Sequence, residues 1–428
     1  MPRTYQLVTS AAMRILLLSW EYPPVIYGGL GRHVHALAEA LAAGGHEVTV
    51  VTQHPDSSVD SPVPYEEVLR GVHVVRVPQD PPPLPRSDIL AWVMGFNHGI
   101  TRAGLRVARD RAYDVIHAHD WLVAHAAQTL REALELPLVV TVHATEGGRH
   151  QGWLPGPLNR AIHAVEWWLV HAAARVITCS AHMRWEVARL FEVPGSRLTV
   201  IPNGIDLAGW RAPAEAVAAA RAEYGADGPL LVFSGRLVWE KGAQTLLEAV
   251  PRLRRRHPGL RVVIAGDGHG REKLEALARE LRLGRSVRFA GWLGREELTA
   301  LVAAADVAVV PSIYEPFGLV ALEAAAVGTP LVVGDTGGLR EFVEHEVTGL
   351  RFPPGDKAAL ADAVTRLLRD TALAGELARH ARKVLERDYA WGAIAEQTAR
   401  VYEQALADPV PGDPPPLVFG EGNLLRDQ

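Results

Sequence analysis

The chain has a single cysteine, Cys179, in 428 residues, so no disulfide can close within it and a reducing compartment is expected. Cys179 ends the apolar run Arg175-Val-Ile-Thr-Cys179, where a small buried hydrophobe fits. Neither sign of charge dominates: 44 Lys and Arg oppose 49 Asp and Glu, a net of -5. Nucleic acid and anionic membranes are thereby excluded as electrostatic partners. No apolar run approaches the roughly 20 residues of a membrane span. Met1–Ala12 lacks the apolar core of a secretory signal, and the strand-like Arg14-Ile-Leu-Leu-Leu-Ser19 follows Met13 directly. The opening dozen residues therefore read as a dispensable extension. The expectation is a soluble, cytoplasmic protein with no transmembrane segment and no nucleic-acid partner.

Hydrophobic residues are plentiful, at 48% of the chain, which rules out disorder over most of its length. The length exceeds what one ordinary core accommodates, so two domains are expected. Short apolar runs alternate with helical patterns throughout. Candidate strands are Arg14–Leu18, Glu47–Thr52, Val72–Val77, Val115–Ala118, Leu138–Val142, Arg175–Cys179 and Leu198–Ile201, with amphipathic stretches at His33–Ala43 and Arg160–Ala173. The scheme repeats at Leu230–Phe233, Arg261–Ala265, Val287–Phe289, Val307–Val310, Pro330–Val333 and Gly349–Phe352, with helical patterns such as Gln244–Arg256 and Arg271–Leu283. Continuous apolar strands alternating with helices predict parallel sheets covered on both faces. The fold class is α/β: two tandem Rossmann-like domains, residues 13–206 and 207–390, facing a cleft. Residues 391–407 form a helix that crosses back to the first domain. The Pro- and Gly-dense tail 408–428 has too little to bury and is expected to be disordered.

The strongest chemical signal is Ser234-Gly-Arg-Leu-Val-Trp-Glu-Lys-Gly242, which sets Arg236 and Lys241 just after an apolar strand. A second is Tyr314-Glu-Pro-Phe-Gly-Leu-Val-Ala-Leu-Glu323, with Glu315 after a strand and Glu323 in the following helix. In a doubly wound sheet both segments open onto one crevice. Fixed cations suit a departing diphosphate and carboxylates suit sugar hydroxyls. A surface pair of Lys241 with Glu240 is the plain alternative. A glycosidase pair of Glu315 and Glu323 is disfavoured, because eight helical residues span about 12 Å, beyond the roughly 5–9.5 Å such pairs need.

Three further segments border strand ends. Trp20–Gly31 brings Gly28, Gly29 and Gly31 before a helix expected to start near Arg32, whose N–H groups would face an anion. His117-Ala-His-Asp-Trp121 and Thr141-Val-His-Ala-Thr145 carry His119, Asp120 and His143. His117 and His119 share a face, but no third ligand accompanies them at a suitable spacing and no Asp-x-Asp motif is present, so no metal is expected. One of the two histidines is assigned to the core, while His119 and Asp120 border the opening. Gly334-Asp-Thr-Gly-Gly-Leu339 is a further cradle for phosphates, and Gly266–Gly270 a tight strand-to-helix turn. Arg252–Arg256 reads as a solvated helix terminus and Trp167-Trp168-Leu169 as core.

Together GGLG, HAHDW, TVHAT, PNGID, SGRLVWEKG, YEPFGLVALEA and TGGL resemble glycosyltransferase family 4, retaining enzymes of the GT-B fold, from about Met13 to about Trp391. Within it the stretches SWEYPPVIYGGLGRHVHALAEAL, HAHDWLVAH and VHATEGGRHQGW resemble actinobacterial glycogen-synthase-type α-1,4-glucosyltransferases. The resemblance implies a nucleotide sugar, ADP- or UDP-glucose, as donor, an α-glucan or maltooligosaccharide as acceptor, and no cofactor or metal. It assigns Arg236 and Lys241 to the diphosphate with backbone N–H groups near Gly29 and Gly338, and Glu323 to the ribose. It assigns Glu315 to the 3- and 4-hydroxyls of the glucose, with Phe317, Gly318 and Leu319 nearby, and His143 to its 6-hydroxyl. Asn203 and Asp120 complete the pocket, and Trp292 stacks on the base. Related family 5 synthases carry Lys-Thr-Gly-Gly where this chain has Ile26-Tyr-Gly-Gly29, which leaves ADP against UDP open. Transferases making maltose 1-phosphate, trehalose or sucrose, and a non-catalytic glycan or nucleotide sensor, are the alternatives.

Overall fold

The computed structural model describes residues 12–55, 61–78, 88–225, 228–409 and 424–425. Residues 1–11 and nearly all of the 408–428 tail lie outside the described residues. The chain forms two compact units. One holds the described residues up to Thr178, Arg184–Ile201 and those from Trp391 onward; the other holds Cys179–Met183 and Pro202–Ala390.

The first unit contains an eight-stranded sheet: β1 (Arg14–Leu18), β2 (Glu47–Gln53), β3 (Glu66–Leu69), β4 (Val72–Val77), β5 (Val115–His119), β6 (Leu138–Val142), β7 (Arg175–Thr178) and β8 (Leu198–Val200), in the order β3-β4-β2-β1-β5-β6-β7-β8. All neighbours are parallel except β3 and β4. The exception has a local cause. Glu66-Glu-Val-Leu69 is an exposed edge strand with two carboxylates, so it carries no apolar run to mark it. The central strands are buried along nearly their whole length because helices cover both faces, and β5 carries two histidines there. Ile394, Tyr402 and Ala405 of the Trp391–Ala407 helix join the same core as Ile15, Leu17 and Val50.

The second unit contains a wholly parallel six-stranded sheet. Its strands are β9 (Leu230–Ser234), β10 (Arg261–Ala265), β11 (Val287–Gly291), β12 (Val307–Val310), β13 (Leu331–Gly334) and β14 (Leu350–Phe352), in the order β11-β10-β9-β12-β13-β14. Its core centres on Leu231, Phe233, Leu246, Leu247, Ile264 and Val309. In each sheet the winding reverses once, between β1 and β5 and between β9 and β12. Ligands of doubly wound sheets bind beyond the carboxyl ends of the strands at such a reversal. The loops after β1, β5, β9 and β12 are therefore the places to look. Among the described residues no helix is long and apolar enough to cross a membrane.

Candidate functional site

In the second unit the loops leaving β9 and β12 meet through a partly buried ion pair. Lys241 Nζ lies 2.9 Å from Glu315 Oε1 and 2.7 Å from Oε2, and Ser312 Oγ donates to Oε2 at 3.0 Å. Burying a carboxylate is costly unless it is paired and hydrogen-bonded, and both conditions hold here. The alternative partner for Lys241, Glu240, instead approaches Arg236, at 4.0 Å. Arg236 is half exposed, its side chain 52% accessible, while that of Lys241 is 20% accessible. The two cations thus differ: one is committed to Glu315, the other reaches outward.

Neighbouring loops brace this pair through their backbones. Gly338 N donates to the Glu315 carbonyl at 2.9 Å and Thr336 Oγ1 to that of Ile313 at 3.0 Å. The Gly338 N–H is thereby occupied by the Glu315 backbone. Ser180 Oγ donates to the Pro316 carbonyl at 2.6 Å, and the Glu341 carboxylate accepts from Ala181 N and His182 N. Phe317 is buried, Gly318 turns the chain at φ 104, and Leu319 opens the Leu319–Val327 helix that carries buried Glu323. Since that helix starts only at Leu319, the eight-residue helical span assumed between Glu315 and Glu323 does not exist. Asn203 is buried, and its Oδ1 meets no hydrogen-bond partner among the described residues. Trp292 is 77% exposed just past β11. Gly266–Gly270 is a tight turn: a Cβ on Gly268 or Gly270 would press on the Leu237 carbonyl. Arg252 and Arg256 both pair with Asp362, so they are held across the fold and not merely solvated.

In the first unit the Gly29–Ala43 helix begins three residues before Arg32, so Gly29 and Gly31 lie within its first turn. Glu21 explains both the glycine and the early start. Its Oε2 accepts from Tyr27 N at 2.8 Å and Gly28 N at 3.0 Å, and a Cβ on Gly31 would come 2.8 Å from that oxygen. The buried Glu21 carboxylate thus holds the two residues that lead into the helix.

Four histidines gather at the carboxyl ends of β5 and β6. His117 is structural: its two ring nitrogens lie 2.7 Å from Tyr402 Oη and 2.7 Å from Thr141 Oγ1. His119 does not border an opening but is wholly buried, with Nδ1 3.1 Å from His143 Nε2. His33, from the Gly29–Ala43 helix, completes a set of three with them, each offering a nitrogen within 4.8 Å of the others. The fold thus gathers a set that sequence spacing does not show, with His117 outside it. Burial keeps His119 neutral well below the usual histidine range and pushes His143 down to about 3. Burial raises Asp120 to about 6 despite the N–H of His143, which it accepts at 2.7 Å.

Next to this cluster lie three buried acids that no motif marks, Glu146, Glu166 and Glu186. Glu166 accepts from Glu146 N at 2.9 Å, and burial raises it well above the carboxylate range. Thr145 Oγ1 donates to Glu186 at 2.5 Å. Asn159 Nδ2 donates to Glu146 at 2.6 Å. Trp167 and Trp168 are only half buried, packed on His171 and His125, and so are not core.

His163 offers a test of this buried polar layer. Burial lowers it from 6.5 to about 4. A depressed base stabilises the fold fully above its unfolded value and loses that contribution as pH falls through the folded one. Acidification from 6.5 to about 4 should therefore cost about 3 kcal/mol through this residue. Thermal unfolding across that range should fall less steeply in His163→Gln; an unchanged slope would refute the assignment.

A family model described as Glycosyltransferase Family 4 matches residues 27–208, and one described as Glycosyl transferases group 1 matches residues 219–384. Glycogen synthase of Mycobacterium tuberculosis is 49% identical over 397 residues, covering 91% of this chain and 94% of that protein. D-inositol 3-phosphate glycosyltransferase of Kineococcus radiotolerans is 34% identical over 433 residues, covering 94% of this chain and 97% of that protein. Among solved structures, sucrose-phosphate synthase from Thermosynechococcus elongatus superposes with a TM-score of 0.78 at 29% identity, covering 92% of this chain and 99% of that one.

Proposed function

Because the chain belongs to glycosyltransferase family 4, retaining enzymes of the GT-B fold, we propose that it moves glucose from ADP- or UDP-glucose to the non-reducing end of an α-1,4-glucan. The observation that carries this is the Lys241–Glu315 pair, set with Arg236 at the reversal of the second sheet. An ammonium has three donors. Glu315 takes two, and the third is left for the diphosphate. Ionised Glu315 has about four acceptor positions. Lys241 and Ser312 fill three, which leaves one for a glucose hydroxyl. Glu323 holds the ribose, Trp292 stacks on the base, and Phe317, Gly318, Leu319 and Asn203 wall the donor pocket. His143 meets the 6-hydroxyl, with Asp120 fixing its backbone and Gly29 near the phosphates. The second unit binds the nucleotide sugar and the first the acceptor, in the cytoplasm.

In the reaction the bond from C1 to the β-phosphate oxygen breaks through an oxocarbenium-like state. The acceptor 4-hydroxyl attacks C1 from the same face, and its proton passes to the leaving phosphate. Lys241 and Arg236 neutralise the charge that grows there, so the step needs no metal and no protein nucleophile.

A small-acceptor transferase is the second reading, favoured by the names of the inositol-phosphate and sucrose-phosphate relatives. Incubation of ADP- and UDP-glucose with maltooligosaccharides, glucose 1-phosphate, glucose and fructose separates the two. Oligosaccharides lengthened by single glucoses, at a rate not lowered by chelator, are expected. Nucleoside diphosphate release with a small acceptor alone would establish the second reading, and release with none would point to a sensor.

A further inference from the structure

We propose that His33, His119 and His143 bind a single zinc-class divalent ion. Three separate elements bring them together: the Gly29–Ala43 helix, the last residue of β5, and the residue after β6. Ring centroids lie 4.8 Å apart for His33 and His143, 5.4 Å for His119 and His143, and 5.6 Å for His33 and His119. Zinc bonds imidazole nitrogen at about 2.0–2.1 Å, so tetrahedral ligands sit about 3.4 Å from one another. The 3.1 Å between His119 Nδ1 and His143 Nε2 already suits that spacing. The set as a whole spans no more than 4.8 Å.

Chemistry favours the same reading. The other nitrogen of His119, Nε2, is buried with no hydrogen-bond partner among the described residues, so no protein group fixes which of its two nitrogens carries the proton. His117 provides the contrast, since hydroxyls occupy both of its nitrogens and exclude it from the set. Asp120 anchors the His143 backbone and places a carboxyl beside the cluster, while the Trp391 ring walls His33 at 5.4 Å. Nitrogen donors select zinc, cobalt, nickel or copper over magnesium and calcium. Three protein ligands leave the fourth position for water.

An ion held there would fix the His143 ring, so its binding and the sugar contact assigned to His143 compete. That consequence rests on the proposed function; the site does not. Full-length protein freed of metal and titrated with cobalt(II) is expected to take up one equivalent and show the intense visible band of a four-coordinate ion. His33→Gln and His119→Gln should each weaken uptake by more than about 100-fold, beyond the loss typical of outer-shell changes. His150→Gln, on the neighbouring loop, should leave it unchanged. No band, a weak six-coordinate spectrum, or uptake that survives both substitutions would overturn the site. Wild-type stoichiometry decides the matter even where a buried variant fails to fold. Zinc that binds at one equivalent without slowing transfer would support the site and remove His143 from the sugar.

Discussion

Lys241→Ala should lower kcat by about 10²–10³-fold, the loss expected when one fixed donor to a developing anion is removed. The pair geometry adds a second effect. Lys241 supplies two of the three hydrogen bonds that hold the Glu315 carboxylate, and its loss leaves a buried charge on Ser312 alone. Breaking a fully buried pair costs about 3–5 kcal/mol, and the partial exposure of Lys241 places this case below that range. Turnover and stability can therefore fall together for different reasons. Lys241→Met combined with Glu315→Gln separates them. Two neutral side chains of similar shape leave no unpaired charge, so the melting temperature should return towards wild type while turnover stays low. The double variant should also be little slower than either single one, because the two residues act as a unit. Initial rates and thermal unfolding on the same preparations check both outcomes. Recovery of turnover in the double variant would make the pair purely structural, and near-normal turnover in Lys241→Ala would remove it from the reaction.

The strand–helix order was legible because buried parallel strands write themselves as unbroken apolar runs, as in Arg14–Leu18 and Val307–Val310. β3 was not, because an exposed antiparallel edge needs no such run. Local spacing also placed the Gly29–Ala43 helix three residues late, since glycines at its start look like loop when the Glu21 carboxylate beside them is unseen. Motifs named Lys241 and Glu315 singly. Their pairing, across 74 residues of sequence, follows only from β9 and β12 lying side by side. The histidine cluster is the same case in the first unit. His119 and His143 end adjacent strands, but His33 arrives from a helix whose turn phase no motif records. Glu146, Glu166 and Glu186 were missed for a further reason: nothing in an amphipathic pattern shows that an acid on the inner face will find backbone and hydroxyl donors there. Sequence motifs thus named the groups likeliest to act, and topology decided which of them touch.

Gly242→Val should abolish measurable transfer, although residue 242 carries no reactive group. Gly242 follows Lys241 and caps the Ala243–Arg256 helix with φ 72, a left-handed conformation that costs a β-branched residue heavily. Space forbids the side chain as well. A Cβ there would fall on the Pro311 carbonyl oxygen and lie 2.7 Å from its carbon, and Pro311 directly precedes Ser312. The clash is with backbone, so no side-chain rotation relieves it. Relief requires the β9 and β12 loops to separate, which draws Lys241 from Glu315 and Ser312. Strain and overpacking of this kind cost about 1–3 kcal/mol each. A catalytic misplacement of about 1 Å can cost about 10²-fold on its own. Gly328→Val is the matched control: it shares a left-handed φ of 82 but has open space around its Cβ and ends the Leu319–Val327 helix away from the pair. It should lose stability by the conformational term and keep much of its turnover. Equal activity in the two folded variants would show that the loops tolerate separation, and the tight approach of Gly242 to Pro311 would then have no part in placing Lys241.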